Sequence, residues 1–538
     1  MRATAEVVLC SQPTNPPDGE QVLEVREVEV AEAQRLLMTD VPGEQRAVIA
    51  LGRRPAEASA GCQDVQRAWS VPGACMSVGE PLGDACRLRD LLARREVSSR
   101  ELVRGCLERI ERRDGDLRAF RVVTEARALA EADAADRALR AGDGRPLLGV
   151  PVAVKDVVDV AGETTSLGTH AVTRQARADG EVVRRLGAAG AVLVGKTNLS
   201  ELQIWALTAS AAWGVTRNPW NAERSAGGTS GGSAVAVAAG MAAVAHGVDG
   251  GGSIRLPAAW CGLVGFKPAA DPAVGSWEAW HGLAVHGALA RSVRDAALLA
   301  AVLGGDVRPD AHSFVVAAGR PPGRLRIAVT VSPPTPAPVD APVHDAVLRT
   351  GRVLEALGHR VEHRDVFGGV LDAQRVGLAT LVRFLDGTRG YAAQLERPER
   401  LEPRTRAVVR AGRLVPALAL RAAQRAQVGE QHRLERTLAG VDVLLMPVSA
   451  RIAPRADAWD GLGAIRAFIR QSRLIPFTPP WNLVGWPALA LPAGHDPNGV
   501  PIGVQLLAAP GREPALIALA AQLETARPWV ANGSDRTE

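Results

Sequence analysis

Gly227-Gly228-Thr229-Ser230-Gly231-Gly232-Ser233 is followed, after an apolar run over residues 234–248, by Asp249-Gly250-Gly251-Gly252-Ser253-Ile254-Arg255-Leu256-Pro257. Two blocks of glycine and hydroxyl residues are thus joined by a segment apolar enough to be buried. Glycine lets a backbone approach a ligand closely, and successive N–H groups can stabilise an anion. The joining run is interrupted by Gly240 and His246; it is too short to cross a bilayer and reads as a buried helix. A phosphate loop is excluded, because no GxxxxGK[ST] pattern is present and no lysine follows either block. Gly228-Thr229-Ser230-Gly231-Gly232 matches the GxSxG elbow of α/β-hydrolases, but that motif needs a strand directly before the serine. Residues 221–226 here read as a loop.

Working outward, Gly149-Val150-Pro151-Val152-Ala153-Val154-Lys155-Asp156 is an apolar run that ends in a charge. Of the 63 basic residues only Lys155, Lys196 and Lys267 are lysine. Arginine stays protonated in proteins, whereas a buried lysine can lose its proton and act as a base. A lysine closing a buried strand is a candidate for that role. A salt-bridged lysine is the plainer alternative, and Lys155 needs a partner group to overturn it.

The net charge is +5, with arginine and acid interleaved as in Glu108-Arg109-Ile110-Glu111-Arg112-Arg113-Asp114. That pattern is a solvated helical face, and no nucleic-acid partner is expected. The six cysteines form no CxxC pair and no histidine stands at a zinc-like spacing, so reduced thiols and no metal are expected. Cys261, beside Trp260, reads as a buried structural thiol. No secretory signal opens the chain, and a cytoplasmic protein with no membrane partner is expected.

Residues 1–84 show weak periodicity apart from a strand-like patch over 21–30. They read as an N-terminal extension: a small module, a flexible arm, or sequence upstream of the true start. From residue 85 the pattern sharpens. Helices are expected at 88–92, after Ser98 (a capping-box signal with Glu101), at 122–141 and at 182–188. Strands are expected at 147–154, 191–195 and 324–331. A Pro-rich turn and a helix to 357 follow, then Arg-rich helices over 370–440. Strands at 441–446, 488–492 and 502–507 and a helix at 514–525 complete the pattern, leaving a tail at 531–538. Strands alternating with helices and no long linker predict one large α/β domain over 85–530, with a mixed or parallel sheet covered by helices.

Taken together, these blocks resemble the amidase signature family, and the stand-alone bacterial amidases within it. The resemblance runs through residues 149–156, Gly195-Lys196-Thr197-Asn198, Gly214-Val215-Thr216-Arg217-Asn218-Pro219-Trp220, both glycine blocks and Gly262-Leu263-Val264-Gly265-Phe266-Lys267-Pro268. It continues in Gly287-Ala288-Leu289-Ala290-Arg291-Ser292 and Thr478-Pro479-Pro480-Trp481-Asn482. It implies a central mixed twisted β-sheet with α-helices on both faces. It also implies a serine–cis-serine–lysine hydrolase of carboxylic amides, with Ser253 as nucleophile, Lys155 as base and no cofactor. The family's relay residue lies 24 positions before the nucleophile, which is Thr229 and not the usual serine. Threonine keeps the hydroxyl but adds a methyl that restricts χ1.

A serine hydroxyl is a poor nucleophile until a base takes its proton. His246, His281 and His286 lie near the blocks, but none has an evident partner carboxylate in the sequence. The N–H groups of Gly250, Gly251 and Gly252, with Ser253, are expected to form the oxyanion hole, worth about 3 kcal/mol per donor. Ser230 is expected in the relay network and Arg255 as a brace through Asp249; Lys196 and Lys267 read as structural. Trp205, Trp213, Trp260, Trp280 and Trp481 are candidates for an acyl pocket, core packing being the plainer reading of each. The expected substrate is a small linear amide, and a homodimer is open. The alternatives are the glutamine-hydrolysing A subunit of a tRNA-dependent amidotransferase and a weakened or non-catalytic relative.

Overall fold

The strand Pro151–Lys155 is buried along its whole length. It lies between Val244–Asp249 and Val192–Thr197 and is parallel to both. A strand covered on both faces has no solvent side, so its sequence is a continuous apolar run. Around it the computed structural model builds an 11-stranded mixed sheet. The strand order is Arg360–His363, Arg326–Val329, Val443–Pro447, Pro501–Leu507, Ala488–His495, Val264–Lys267, Val285–Ala290, Val244–Asp249, Pro151–Lys155, Val192–Thr197 and Phe120–Val123. The strands at the two ends of this order include parallel pairs, and those from Val443–Pro447 to Val244–Asp249 pair antiparallel. Helices flank the sheet, as the α/β pattern predicts.

The structure describes residues 82–270, 279–305, 313–367 and 370–529, and the backbone of three strands nearer the N-terminus. Those strands, Thr4–Ser11, Val22–Glu29 and Gln45–Ala50, form an antiparallel sheet in a separate unit over residues 1–75. The strand-like patch at 21–30 falls on the second of them. The rest of residues 1–81, Cys62 and Cys75 included, and the 531–538 tail lie outside the described residues.

Three element assignments change. Residues 221–225, expected as a loop, form a short strand paired antiparallel with Arg217–Asn218. The helix expected over 122–141 begins only at Glu125, because Phe120–Val123 pairs antiparallel with Val192–Thr197 as a strand. Val122 and Val123 are β-branched and suit that edge pairing better than a helical turn. The buried helix expected over 234–248 divides into a helix, Gly231–Ala238, and a strand, Val244–Asp249. Gly240 takes φ +70°, which stops the helix there. A wholly apolar stretch has no polar face to reveal its period, so helix and buried strand look alike in sequence. The Ser98–Glu101 capping box is formed, with both reciprocal hydrogen bonds present, a feature worth about 1 kcal/mol. Cys86, Cys106 and Cys261 are buried free thiols.

Candidate active site

The division of residues 234–248 is what assembles the site. The helix Gly231–Ala238 starts just after Thr229, and the strand Val244–Asp249 carries the chain back to the second glycine block beside the end of Pro151–Lys155. Lys155 is fully buried, and its Nζ lies 2.5 Å from Thr229 Oγ1. Burial pushes the Lys155 ammonium well below the usual lysine range, against the opposing pull of the Asp249 carboxylate. The Gly228–Thr229 peptide is cis. Thr208 secures this turn: its Oγ1 donates to Gly227 O at 2.8 Å and accepts from Gly231 N at 3.1 Å.

Ser253 sits immediately before the helix Arg255–Cys261 and is half-buried at the wall of a cavity that Thr229 also lines. No direct hydrogen bond joins the two hydroxyls here. Such contacts are often loose in unliganded sites and tighten with substrate.

The loop 249–253 is held by a buried ion pair. Arg255 and Asp249 meet at 2.9 Å with neither side chain exposed. Asp249 also accepts from the backbone of Gly252 at 2.7 Å and from Asn482 Nδ2 at 2.9 Å. Arg255 reaches Gln505 Oε1 at 2.9 Å, Asn482 Oδ1 at 2.6 Å and Thr478 O at 3.2 Å. Burial pushes the Asp249 carboxyl up, but Arg255, Lys267 and the Asn482 hydrogen bond outweigh it and hold it below the usual carboxylate range. A charge this deeply buried persists only with such full pairing.

That network trims the expected oxyanion set. The Gly252 N–H is directed at Asp249 and is not free for a substrate oxygen. The N–H groups of Gly250, Gly251 and Ser253 have no acceptor among the described residues. Gly252 instead serves by its conformation: φ +119° admits little but glycine, and a Cβ there would run into Thr478. Ser230 also departs from expectation. Its hydroxyl exchanges 3.3 Å contacts with the backbone of Val248, and its N–H donates to Ser253 O at 3.1 Å. It ties the two glycine blocks together, and its hydroxyl makes no hydrogen bond to Lys155, Thr229 or Ser253.

The other lysines are occupied. Lys196 pairs with Asp156 at 2.7 Å and donates to Thr164 O and Thr165 Oγ1. Lys267 donates to the carbonyls of Trp486 and Pro268. Burial and Arg255 push it down to about 7. The histidines are not near-equivalents of Lys155. His246 and His286 meet each other at 2.8 Å, and burial drives both toward the neutral form, His286 to about 4. His281 does have a carboxylate partner, Asp386 at 2.8 Å. The two are 105 residues apart, so no local pattern could announce the pair.

The cavity has a volume of about 330 Å³, and no ionisable acid or base lines it among the described residues. Trp205, Trp280, Leu283, Val376, Phe384 and Phe468 supply most of its apolar wall. Of the five candidate tryptophans, Trp205 and Trp280 line it; Trp260 and Trp481 are buried in the core, and Trp213 meets the His170 ring in an edge-on contact. No local pattern points to Val376, Phe384 or Phe468, which lie far along the chain in helical segments of ordinary composition. Gln505 was findable in principle, as the one polar residue within an otherwise apolar strand.

A protein-family profile described as Amidase matches residues 101–517. The chain belongs to the amidase family. AmiB2 of Mycobacterium tuberculosis, assigned as an amidase, is 46% identical over 83% of this chain and 96% of its own. The 6-aminohexanoate-cyclic-dimer hydrolase of Paenarthrobacter ureafaciens is 34% identical over 83% of this chain and 95% of its own. Among solved structures, a 6-aminohexanoate cyclic dimer hydrolase complexed with substrate superposes with a TM-score of 0.73. It is 30% identical and covers 85% of this chain and 99% of that one. A peptide amidase from Stenotrophomonas maltophilia gives 0.67 at 27% identity, over 82% and 96%. The amidase fold thus spans the 11-stranded sheet and both glycine blocks. No helix among the described residues is long and apolar enough to cross a membrane.

Proposed function

We propose that this amidase hydrolyses carboxylic amides with an apolar acyl group through an acyl-enzyme on Ser253. The observation that carries the reading is the buried Lys155–Thr229 contact. A lysine driven toward its neutral form can accept a proton, and its hydrogen-bond partner is a hydroxyl at the wall of the cavity that holds Ser253. Lys155 takes the Thr229 proton as Thr229 takes the Ser253 proton, and Ser253 Oγ attacks the amide carbon. The carbonyl oxygen becomes an anion facing the open N–H groups of Gly250, Gly251 and Ser253. Collapse breaks the C–N bond, and the proton returns through Thr229 to the leaving amine. Water, deprotonated along the same route, then attacks the ester, and the acyl C–O bond breaks as that proton returns through Thr229 to Ser253 Oγ, releasing the acid.

The cavity bears on the substrate. Its apolar wall suits an aliphatic or aromatic acyl group. Glutamine carries an ammonium and a carboxylate, and among the described residues the cavity lining offers neither a counter-charge, which favours the stand-alone reading over the amidotransferase subunit. A restriction to small linear amides is not favoured, since a relative of this length is a cyclic-dimer hydrolase.

The test uses purified protein, a panel of aliphatic, aromatic and cyclic amides with glutamine alongside, and a fluorophosphonate probe with peptide mapping. Turnover of apolar amides with label on Ser253 is expected, and Ser253→Ala abolishes both. Label on Ser230, or full turnover by Ser253→Ala, would overturn the reading.

A further inference from the structure

A second concavity, of about 510 Å³, lies on the far side of the helix Ala464–Leu474 from the catalytic cavity. Phe468, Gln471 and Ser472 of that helix face the catalytic cavity, whereas Arg470, Arg473 and Leu474 face this cleft. Among the described residues four arginines line it, Arg224, Arg451, Arg470 and Arg473, against one acid, Asp340. Trp459, buried, and Pro338 and Pro454 give it apolar walls.

The charge in this cleft is positioned but not cancelled. Asp340 takes Arg451 at 3.2 Å and the Ile452 N–H at 3.0 Å, which accounts for its charge. Arg470 donates to Ala458 O at 2.7 Å and Arg224 to Ala453 O at 3.5 Å. Those carbonyls orient two guanidinium groups without neutralising them. Arg473 has no acid partner among the described residues. The nearby carboxylates of Asp457 and Glu223 are drawn to Arg455, at 3.1 and 3.7 Å. Three like charges around one concavity, two of them oriented by those carbonyls and the exposed Arg473 beside them, repel one another, and guanidinium forks match phosphate and carboxylate oxygens two at a time.

We infer that this cleft binds a small multivalent oxyanion, a phosphate ester or a polycarboxylate, as an effector of the catalytic cavity. Two elements connect them. Gln471, on the shared helix, accepts from Ala206 N at 2.8 Å and donates to Ile204 O at 3.2 Å, and so fixes residues that line the catalytic cavity. Arg224 belongs to the strand Asn221–Ser225, which leads directly into Gly228 and Thr229.

Titration calorimetry of the full chain with inorganic pyrophosphate and, separately, citrate tests the site without reference to catalysis. Saturable binding of at least one probe is expected, with affinity falling about tenfold or more in Arg470→Ser/Arg473→Ser. Pyrophosphate alone binding would assign phosphate chemistry, and citrate alone polycarboxylate chemistry. Binding of neither, or equal binding by the double variant with unchanged circular dichroism, would overturn the site. The saturating probe should also shift KM for a turned-over amide in the wild type and not in the double variant. Unchanged KM would overturn the effector role.

Discussion

Replacing Lys155 by methionine separates catalysis from stability, because the two should move in opposite directions. Methionine fills nearly the same volume and removes only the amine. If Lys155 is the base, kcat falls by about 10²–10⁴-fold, the usual contribution of a positioned proton acceptor and equivalent to about 3–5 kcal/mol of barrier. KM changes little, since the amine does not line the cavity. Stability should rise. Lys155 is fully buried, and burial lowers its proton affinity in the folded state while the unfolded chain keeps the ordinary value of 10.5. Between the folded and unfolded values the unfolded chain binds the extra proton, so wild-type stability increases with pH across that window. Each tenfold loss of proton affinity costs the folded state about 1.4 kcal/mol below it. Losing the 2.5 Å contact to Thr229 costs the variant only about 1 kcal/mol. Urea unfolding at pH 7 should therefore show a higher midpoint for Lys155→Met, and the advantage should vanish as the pH approaches 10.5. A lower midpoint at pH 7, or kcat retained within about threefold of wild type, would refute the reasoning and restore the salt-bridged lysine.

Thr229→Ser keeps the hydroxyl and should retain or raise kcat, whereas Thr229→Val should lose about 10²-fold or more; steady-state kinetics on one amide compares them. Asp249→Asn leaves Arg255 without its buried counter-charge and should cost about 3–5 kcal/mol in urea unfolding, with activity falling as the 249–253 loop loosens. Glu524 is pushed up to about 7, chiefly by burial, with Asp84 and Asp295 adding and a Val293 hydrogen bond opposing. The folded chain holds that proton more tightly, so the stability it contributes is complete below about 4.5 and is lost as pH rises through about 7. Glu524→Gln should accordingly raise the denaturation midpoint above pH 7 and leave it unchanged near pH 4.5.

Much of the site could be read from local pattern. The glycine blocks, the apolar run into Lys155 and the Asp249–Arg255 spacing are all contiguous stretches, and the structure brings Lys155 and Thr229 together and pairs Asp249 with Arg255. What was misread has a common cause. The run 234–248 is apolar on every side, so nothing in it marked where Gly240 ends a helix and Val244 begins a strand. Gly252 and Ser230 have the right chemistry for the roles expected of them. Which way a backbone N–H or a hydroxyl points is set by neighbours such as Asp249 and Val248.

Sequence alone determined that this chain has an α/β sheet, two glycine–hydroxyl blocks and a lysine closing a buried apolar run, because composition and periodicity act over adjacent residues. Only the tertiary structure decided that Lys155 is buried against Thr229, that Asn482 and Gln505 complete the Arg255 network, and that the cavity wall comes from Trp205, Trp280, Val376, Phe384 and Phe468. Those are contacts across tens to hundreds of residues. Their energies arise from burial and hydrogen-bond geometry, which exist only once the sheet has brought the segments together.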